Sequence, residues 1–113
     1  MWTDLNAIIP VLKEAAASHA LRQMVGTYFS ILAEDEAIVE QYWENFVRQR
    51  RDSFATILTR AQNRGEIRDD LDLDLVMDML SGTVIVQMLR PRSHNPGDRI
   101  ERIIELLRPL LSR

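Results

Sequence analysis

The stretch that decides the fold is residues 64–74, which reads RGEIRDDLDLD. Gly65 can adopt the left-handed backbone conformation that ends many helices, and Asp72 can cap the first turn of a new helix. Residues 72–90 read DLDLVMDMLSGTVIVQMLR, and 11 of these 19 residues are apolar. The stretch therefore predicts the end of one helix, a short loop and a long helix that is too apolar for burial on one side only.

The apolar residues of this fourth helix fall on two opposite sides when they are placed at about 100° per residue. A surface helix of a monomer needs only one apolar side, so the helix is either central to its own bundle or shared with a second chain. Gly82 favours a second chain, because a glycine in mid-helix costs about 1 kcal/mol against alanine and close helix approach is a common compensation. One stripe contains Leu75, Met79, Gly82, Val86 and Leu89, and the other contains Leu73, Met77, Leu80, Val84 and Met88.

The rest of the chain also predicts helices, because apolar residues recur every three to four positions and no long strand-like alternation is present. The predicted fold class is an all-α, five-helix orthogonal bundle. Its last two long helices would form a four-helix interface with a second copy. The other helices are expected at about residues 3–17, 20–33 and 99–111, together with a long third helix that opens at Asp35 or Glu36 and ends before Gly65.

Several residues predict where these helices begin, bend or break. Ser18, Asp35 and Asp98 stand where N-terminal caps are needed, and their side-chain oxygens can accept backbone N–H groups. Pro10 is expected to kink the first helix, because proline removes an amide donor and crowds the preceding turn. The long third helix is expected to continue through its RQRRD segment, although a break near Arg50 stays open.

The composition bounds the class of protein. A chain of 113 residues with 46% hydrophobic and 27% charged residues is typical of one globular domain. The absence of cysteine excludes disulfides and thiolate metal sites. No signal peptide and no apolar run of membrane-spanning length is present, so we expect a cytoplasmic protein without a membrane partner. A net charge of −3 gives no overall basic field for nucleic acid.

Two blocks, AIVEQYWENFVRQRRDSFATILTRAQNRGEI and DDLDLDLVMDMLSGTVIVQMLR, carry a family resemblance. They resemble the C-terminal domain of tetracycline-repressor-like (TetR family) transcriptional regulators. In that family a long helix rich in aromatic and arginine residues ends in an RGE-type turn, and an Asp-capped helix with a central glycine follows. The resemblance covers most of the chain, and the matching positions are Arg51, Arg64, Gly65, Glu66, Ile67, Asp72, Leu80 and Gly82.

The resemblance implies a two-domain regulator whose small N-terminal domain places a helix-turn-helix in the major groove of DNA. It also implies a C-terminal domain that forms a homodimer through its last two helices and encloses a pocket for a small inducer. Inducer binding would change the separation of the two DNA-reading domains. No helix-turn-helix pattern precedes residue 3, so we expect residues 1–113 to be a single regulatory domain that contacts DNA only through a domain absent from this chain.

An apolar pocket for a small apolar or amphipathic ligand is the first candidate site. Three aromatic residues cluster within five positions of the long helix, and methionines suit pockets that accept varied shapes. Plain core packing explains the same residues and stays open. Thr83 and Gln87 lie between the two stripes of the fourth helix and suit either ligand hydrogen bonds or an interface rim. The pocket candidates are Met24, Tyr28, Tyr42, Trp43, Phe46, Met77, Gln87 and Met88.

A homodimer interface is the second candidate site. Two helices from each chain would make a four-helix bundle across a twofold axis. The candidates on the fourth helix are the stripe that contains Gly82, and those on the fifth helix are its apolar side. The full set is Leu75, Met79, Gly82, Val86, Leu89, Ile100, Ile103, Ile104, Leu107 and Leu111.

Catalytic and metal sites have little support. Neither histidine has a nucleophile or carboxylate pair at a catalytic spacing. The acidic run at residues 69–74 lacks the glycine turn and distal glutamate of a calcium loop, and helix capping explains it. The arginine cluster at residues 48–51 is interpreted as a solvated helix surface. We therefore predict no catalytic residue, metal or cofactor.

Two other functions remain open. A helical dimerisation module without a ligand would have a well-filled core and would not be stabilised by any small molecule. A small helical enzyme would need titratable groups that converge in a cleft, and the sequence offers only scattered carboxylates.

Overall fold

A computed structural model describes the backbone of residues 3–112 and the side chains of residues 6–112. It confirms the all-α fold, since every regular element in the described part is helical. A π-helical segment, Trp43–Val47, joins two helices into a continuous rod over residues 36–63, so the described residues form the five long helical segments that the sequence predicted. The helices are α1 Thr3–Ala17, α2 His19–Ile31, α3 Glu36–Tyr42, α4 Arg48–Asn63, α5 Leu73–Leu89 and α6 Pro96–Leu111.

Three predicted helix starts have the expected caps. Ser18 Oγ accepts a hydrogen bond from the Leu21 N–H at 3.1 Å, which begins α2. Asp35 begins α3 in the same way, and Asp72 Oδ1 accepts from the Asp74 N–H at 2.9 Å at the start of α5. Each side chain satisfies one of the backbone donors that a helix start leaves without a partner.

The predicted start of α6 was wrong. Asn95, not Asp98, is the cap: its Oδ1 accepts from the Asp98 N–H at 3.3 Å, and its φ of 53° lies in the left-handed region. Asparagine tolerates that conformation better than most residues. Pro96 then occupies the first turn, where its missing N–H has no intrahelical partner to lose. The Asn-Pro pair was a signal for this earlier start.

The rod has its irregularity earlier than predicted. It runs through the arginine cluster without a break at Arg50, and the π segment precedes that point. There the Arg48 N–H donates to the carbonyl of Trp43, five residues back. A π turn widens the helix by one residue and is frequent at functional sites. It changes the direction of the side chains that follow, including those of Arg50 and Phe54.

The core is built by α1, α4, α5 and α6, with the loop after α4. α2, α3 and the π segment contribute no fully buried side chain and pack along one side of this core. Their partly buried residues Leu21 and Val25 contact it. The buried apolar residues are Ile8, Leu12, Ala16, Leu58, Ala61, Ile67, Val76, Met77, Leu80, Val84, Met88, Ile100, Ile104 and Leu111.

The RGE turn anchors the end of α4 to the end of α6. Gly65 has a φ of 81°, and the Glu66 N–H donates to the Ala61 carbonyl at 2.9 Å. Ile67 is fully buried, and the Arg68 N–H donates to the Leu111 carbonyl at 2.8 Å. The turn therefore sets the position at which α5 begins. Within the described residues, no helix has the length and apolar character needed to cross a membrane.

Candidate functional site

A groove of about 480 Å³ lies between α1, α2, the rod and α5. Its size falls within the range that binds small ligands, roughly 300–1,000 Å³. Its surface is almost entirely apolar. The lining residues are Val11, Leu12, Ala15, Leu21, Met24, Val25, Tyr28, Phe29, Leu32, Tyr42, Trp43, Phe46, Val47, Arg50, Arg51, Phe54, Met77, Leu80, Ser81, Val84, Ile85 and Met88.

A row of aromatic rings joins α2 to the rod. The rings of Tyr28 and Tyr42 meet edge to face with centroids 5.1 Å apart, and Tyr42 and Phe46 lie 4.7 Å apart. The hydroxyl of Tyr42 donates to the Met24 carbonyl at 3.3 Å. Aromatic pairs of this geometry contribute about 0.5–1.5 kcal/mol each beyond their buried area. The row therefore holds α2 in place as one wall of the groove.

The groove is open to solvent along the side formed by α2 and the π segment. Phe29, Leu32, Trp43 and Phe46 all line it, yet each is exposed by more than a third of its surface. Large side chains left in this state on a compact domain are unusual when they are contiguous. An apolar molecule in the groove would cover them.

Arg51 is the charged residue beside the groove that pairs with α5. Its guanidinium donates to Asp74 Oδ1 at 2.8 Å and pairs with Asp78 Oδ1 at 2.9 Å, both on the first turns of α5. It also lies 5.4 Å from the centroid of the Trp43 ring. Burial lowers the pKa of Arg51, but the hydrogen bonds and charges of the two aspartates outweigh that effect and raise it above its ordinary value. Arg51 therefore stays charged and fixes the rod to α5.

Every predicted pocket residue except Gln87 lines the groove. Gln87 is buried on another side of α5, where its Oε1 has no hydrogen-bond partner among the described atoms. Thr83, the other polar residue of interest, donates to the Met79 carbonyl of its own helix at 2.8 Å. Neither residue is placed to bind a ligand in the groove.

Sequence reasoning missed one wall and two charges. Val11, Leu12 and Ala15 of α1 line the groove, and no pattern in the sequence indicates that α1 packs beside the rod. Arg50 and Arg51 line it as well, although their cluster was interpreted as a solvated surface. The signal that could have found them is the spacing to Phe46 and Phe54, one helical turn away on each side of Arg50.

The two stripes of α5 have different surroundings. The stripe of Met77, Leu80, Val84 and Met88 is buried in the chain's own core and lines the groove. The opposite stripe is exposed in the single chain, with Leu75 at 60% and Leu89 at 68% of their surface. Within the described part of the chain, α5 is thus not a central helix covered on both sides.

Gly82 stands in the middle of the exposed stripe. A Cβ built at this position would meet no atom within 4 Å. No packing within the described residues therefore explains why the helix carries a glycine here. The stripe itself, Leu75, Met79, Gly82, Val86 and Leu89, repeats at alternating spacings of four and three residues, the spacing of a helix–helix seam.

The candidates on α6 need revision. Ile100, Ile104 and Leu111 are buried in the chain's own core, because the apolar side of α6 packs against α1 and α5. Buried side chains are not available to a second chain. Ile103 and Leu107 are only partly buried. The large apolar residues that α6 exposes are Leu106, at 75% of its surface, and Leu110.

The acidic run and the histidines have local structural partners. Arg68 donates two hydrogen bonds to Asp70, and these bonds, with the charge of Arg68, lower the pKa of that carboxyl. His19 lies 3.3 Å from Gln23, and His94 lies 3.3 Å from Arg90. Among the residues that the structure describes, no group of three histidine or acidic side chains is placed to hold a metal ion.

Fold and groove together define an all-α domain with an open apolar groove beside a long helix. A family model described as "Tetracyclin repressor-like, C-terminal domain" matches residues 1–107 of the 113. The chain belongs to this family, and the suspected resemblance is confirmed. Neither a search of curated proteins nor a search of solved structures found a significant match.

Proposed function

We propose that this chain is the ligand-sensing and dimerisation domain of a TetR-like transcriptional regulator. The observation that supports this most is the position of α5, with the groove on one side and an exposed apolar stripe on the other. The family is regulatory, and we assign the chain no catalytic activity. In this proposal the protein works in the cytoplasm and contacts DNA through an N-terminal domain that is not part of residues 1–113.

The ligand would act on α5 directly. Met77, Val84 and Met88 face the groove, so a molecule that enters it packs against the helix that also carries the exposed stripe. Packed helices respond to such a change by a small shift or rotation rather than by continuous deformation. Because Arg51 ties the first turns of α5 to the rod, such a shift would move both walls of the groove together.

A second copy of the chain is the proposed partner of the exposed stripe. Two α5 helices that cross at Gly82 could approach closely, because no side chain would separate their backbones there. Leu75, Val86 and Leu89 would then be removed from water, which stabilises association by roughly 25 cal/mol per Å² of apolar surface. Leu106 and Leu110 of α6 are the residues that would extend the interface.

The first experiment is the solution mass of the chain by light scattering over a dilution series. A dimer is expected for the unmodified chain, and Val86→Arg is expected to convert it to a monomer. Ile38→Arg is the matched control, because Ile38 is exposed to a similar extent, 45% against 49%, but lies on α3 outside both the stripe and the groove. A monomer at all concentrations would contradict the dimer.

Ligand sensing is tested separately by thermal unfolding with a panel of small apolar and amphipathic molecules. At least one class of molecule is expected to raise the melting temperature of the chain. A dimer that no molecule stabilises would favour the ligand-free dimerisation module.

A further inference from the structure

We propose that the groove selects small amphipathic anions, with an apolar body against the aromatic wall and a carboxylate or phosphate group at Arg50. This inference rests on the proposed ligand-sensing function and names the class of ligand. Three observations lead to it: the charges that line the groove, their partners, and the position of Arg50 among apolar residues.

The charges that line the groove have one sign. Among its described lining residues, Arg50 and Arg51 are charged and no aspartate or glutamate occurs. The remaining polar side-chain groups are the hydroxyls of Ser81, Tyr28 and Tyr42 and the indole N–H of Trp43. The Tyr42 hydroxyl already donates to a backbone carbonyl. A cationic ligand would therefore meet no lining carboxylate, whereas an anion would meet a guanidinium.

The two arginines differ in their partners. Asp74 and Asp78 of α5 neutralise Arg51 at 2.8 and 2.9 Å. Arg50 has no ion pair or side-chain hydrogen bond with any residue in the described part of the chain, whereas nearby Arg48 pairs with Glu44 at 2.8 Å. The guanidinium of Arg50 is thus left to solvent or to a ligand.

The residues three and four positions from Arg50 on its own helix are all uncharged. Phe46 and Phe54 lie four residues before and after it, and both line the groove. Val47 and Ser53 occupy the positions three residues away, so no acidic side chain is one turn from Arg50. Its stem can pack along the apolar rings while its head stays polar. A ligand whose apolar body covers those rings would bring its own charged end to the guanidinium.

Such a contact discriminates between ligands of equal length. Hydrogen bonds from a guanidinium to a carboxylate or phosphate are short, charge-assisted and often paired. Covering the groove also removes water around the contact, which strengthens it relative to an exposed ion pair. We therefore expect an anionic head group to bind about tenfold more tightly than a neutral one on the same alkyl chain.

The test compares decanoate, decyl phosphate, decanol and decyltrimethylammonium, each below its micelle-forming concentration, by calorimetric titration against the folded chain. Decanoate and decyl phosphate are expected to bind more tightly than decanol, and the cation most weakly. Tighter binding of decyl phosphate than of decanoate would indicate a phosphate as the natural head group, and the reverse would indicate a carboxylate.

The variants are Arg50→Gln, Arg50→Lys and the control Arg48→Gln, which removes an exposed arginine of the same rod outside the groove. Arg50→Gln should bring decanoate to the affinity of decanol and leave decanol unchanged. Arg50→Lys should restore part of the preference, and Arg48→Gln should retain all of it.

Three results would overturn the inference in distinguishable ways. Equal binding of decanoate and decanol would remove the anion site. A preference for decanoate that survives Arg50→Gln would show that Arg50 does not provide the anion site. Both results would leave the groove as an apolar ligand site. Failure of all four probes to bind would remove both the anion site and the proposed sensing function for molecules of this kind.

Discussion

Arg51 links the groove to α5 through three contacts of its guanidinium, with Asp74, Asp78 and the ring of Trp43. Its side chain is only 14% exposed, whereas the two carboxylates are mostly exposed. Loss of the arginine would therefore leave no buried carboxylate without a partner, which limits the cost. The Arg51 side chain is also mostly covered, so its removal would cost packing as well as charge pairing.

We expect Arg51→Met to lower the free energy of unfolding by about 1–2 kcal/mol. The variant loses the ion pairs with Asp74 and Asp78 and the hydrogen bond to the Asp74 carbonyl. The stability of Arg51→Lys should lie between that of the unmodified chain and that of Arg51→Met. An ammonium keeps the charge but lacks the planar, forked donors with which the guanidinium reaches both carboxylates. Urea unfolding of these variants and of Arg48→Met would measure the effect. Arg48 makes one exposed pair, with Glu44, so its loss should change little, and equal effects at both positions would contradict the role of Arg51.

Trp43 is expected to report occupancy of the groove. It lines the groove, is partly exposed and lies over the Arg51 guanidinium, so a bound apolar molecule would change both its hydration and its surroundings. In a Trp2→Phe background the emission should shift to shorter wavelength when decanoate binds. Trp2 lies outside the described residues, and its removal isolates the signal. Binding seen by calorimetry without a change in emission would contradict this position of the ligand.

The sequence predicted the aromatic part of the groove because Tyr42, Trp43 and Phe46 share one side of a helix at any plausible rotation. It failed for Gln87, which lies at the boundary between the two stripes of α5, where a small rotation decides between groove and core. The prediction for Arg50 also failed, because the charge of a residue does not indicate which part of the fold its side of the helix faces. Tertiary packing settles both.

At the scale of elements, the exposed stripe of α5 was predictable because an apolar residue count too high for one side is visible in the sequence. The apolar side of α6 is equally visible in the sequence. The sequence does not show whether the same chain or a second chain covers it. A sequence pattern gives the apolar side of Ile100 and Ile104, and only packing against α1 and α5 shows that the cover comes from the same chain. The sequence analysis did not predict the cap at Asn95 or the π segment. Both depart from regular helix geometry over a few residues, and the apolar spacing does not record such a departure.

Gly82→Leu is expected to change two properties in opposite directions. Within one chain the position is open, so leucine should fit and should stabilise the helix by up to about 1 kcal/mol. Between chains the new side chain would separate the two α5 helices and weaken the dimer. Light scattering over a dilution series would measure the change in the dimer. Urea unfolding at a concentration where both proteins are monomeric would measure the change in helix stability.

Gly26→Leu is the matched control for that variant. Gly26 also lies in mid-helix with no atom within 4 Å of a built Cβ, but it belongs to α2, which carries no part of the stripe. It should gain helix stability and retain the mass of the unmodified chain. Equal masses for both glycine variants would show that helices do not cross at Gly82.

On the scale of the whole molecule, the domain consists of a four-helix core and an outer layer. α1, α4, α5 and α6 hold the buried residues, whereas α2 and α3 contribute none and attach through the aromatic row and a few partly buried side chains. The sequence predicted each helix but not this division. The stripes of α2 and α4 look alike in amphipathic character, and their different burial follows from where the other helices pack.

This division predicts an order of local opening. Backbone amides of α2 are expected to exchange with deuterium about tenfold or more faster than those of α5, because few buried apolar contacts oppose the separation of α2 from the core. Decanoate should slow exchange in α2 and the π segment, since it would bridge the aromatic row and the core across the groove. α6 does not line the groove and serves as the internal control. Slowing of equal size in α2 and α6 would indicate global stabilisation, and the outer layer would then not be the element that responds to the ligand.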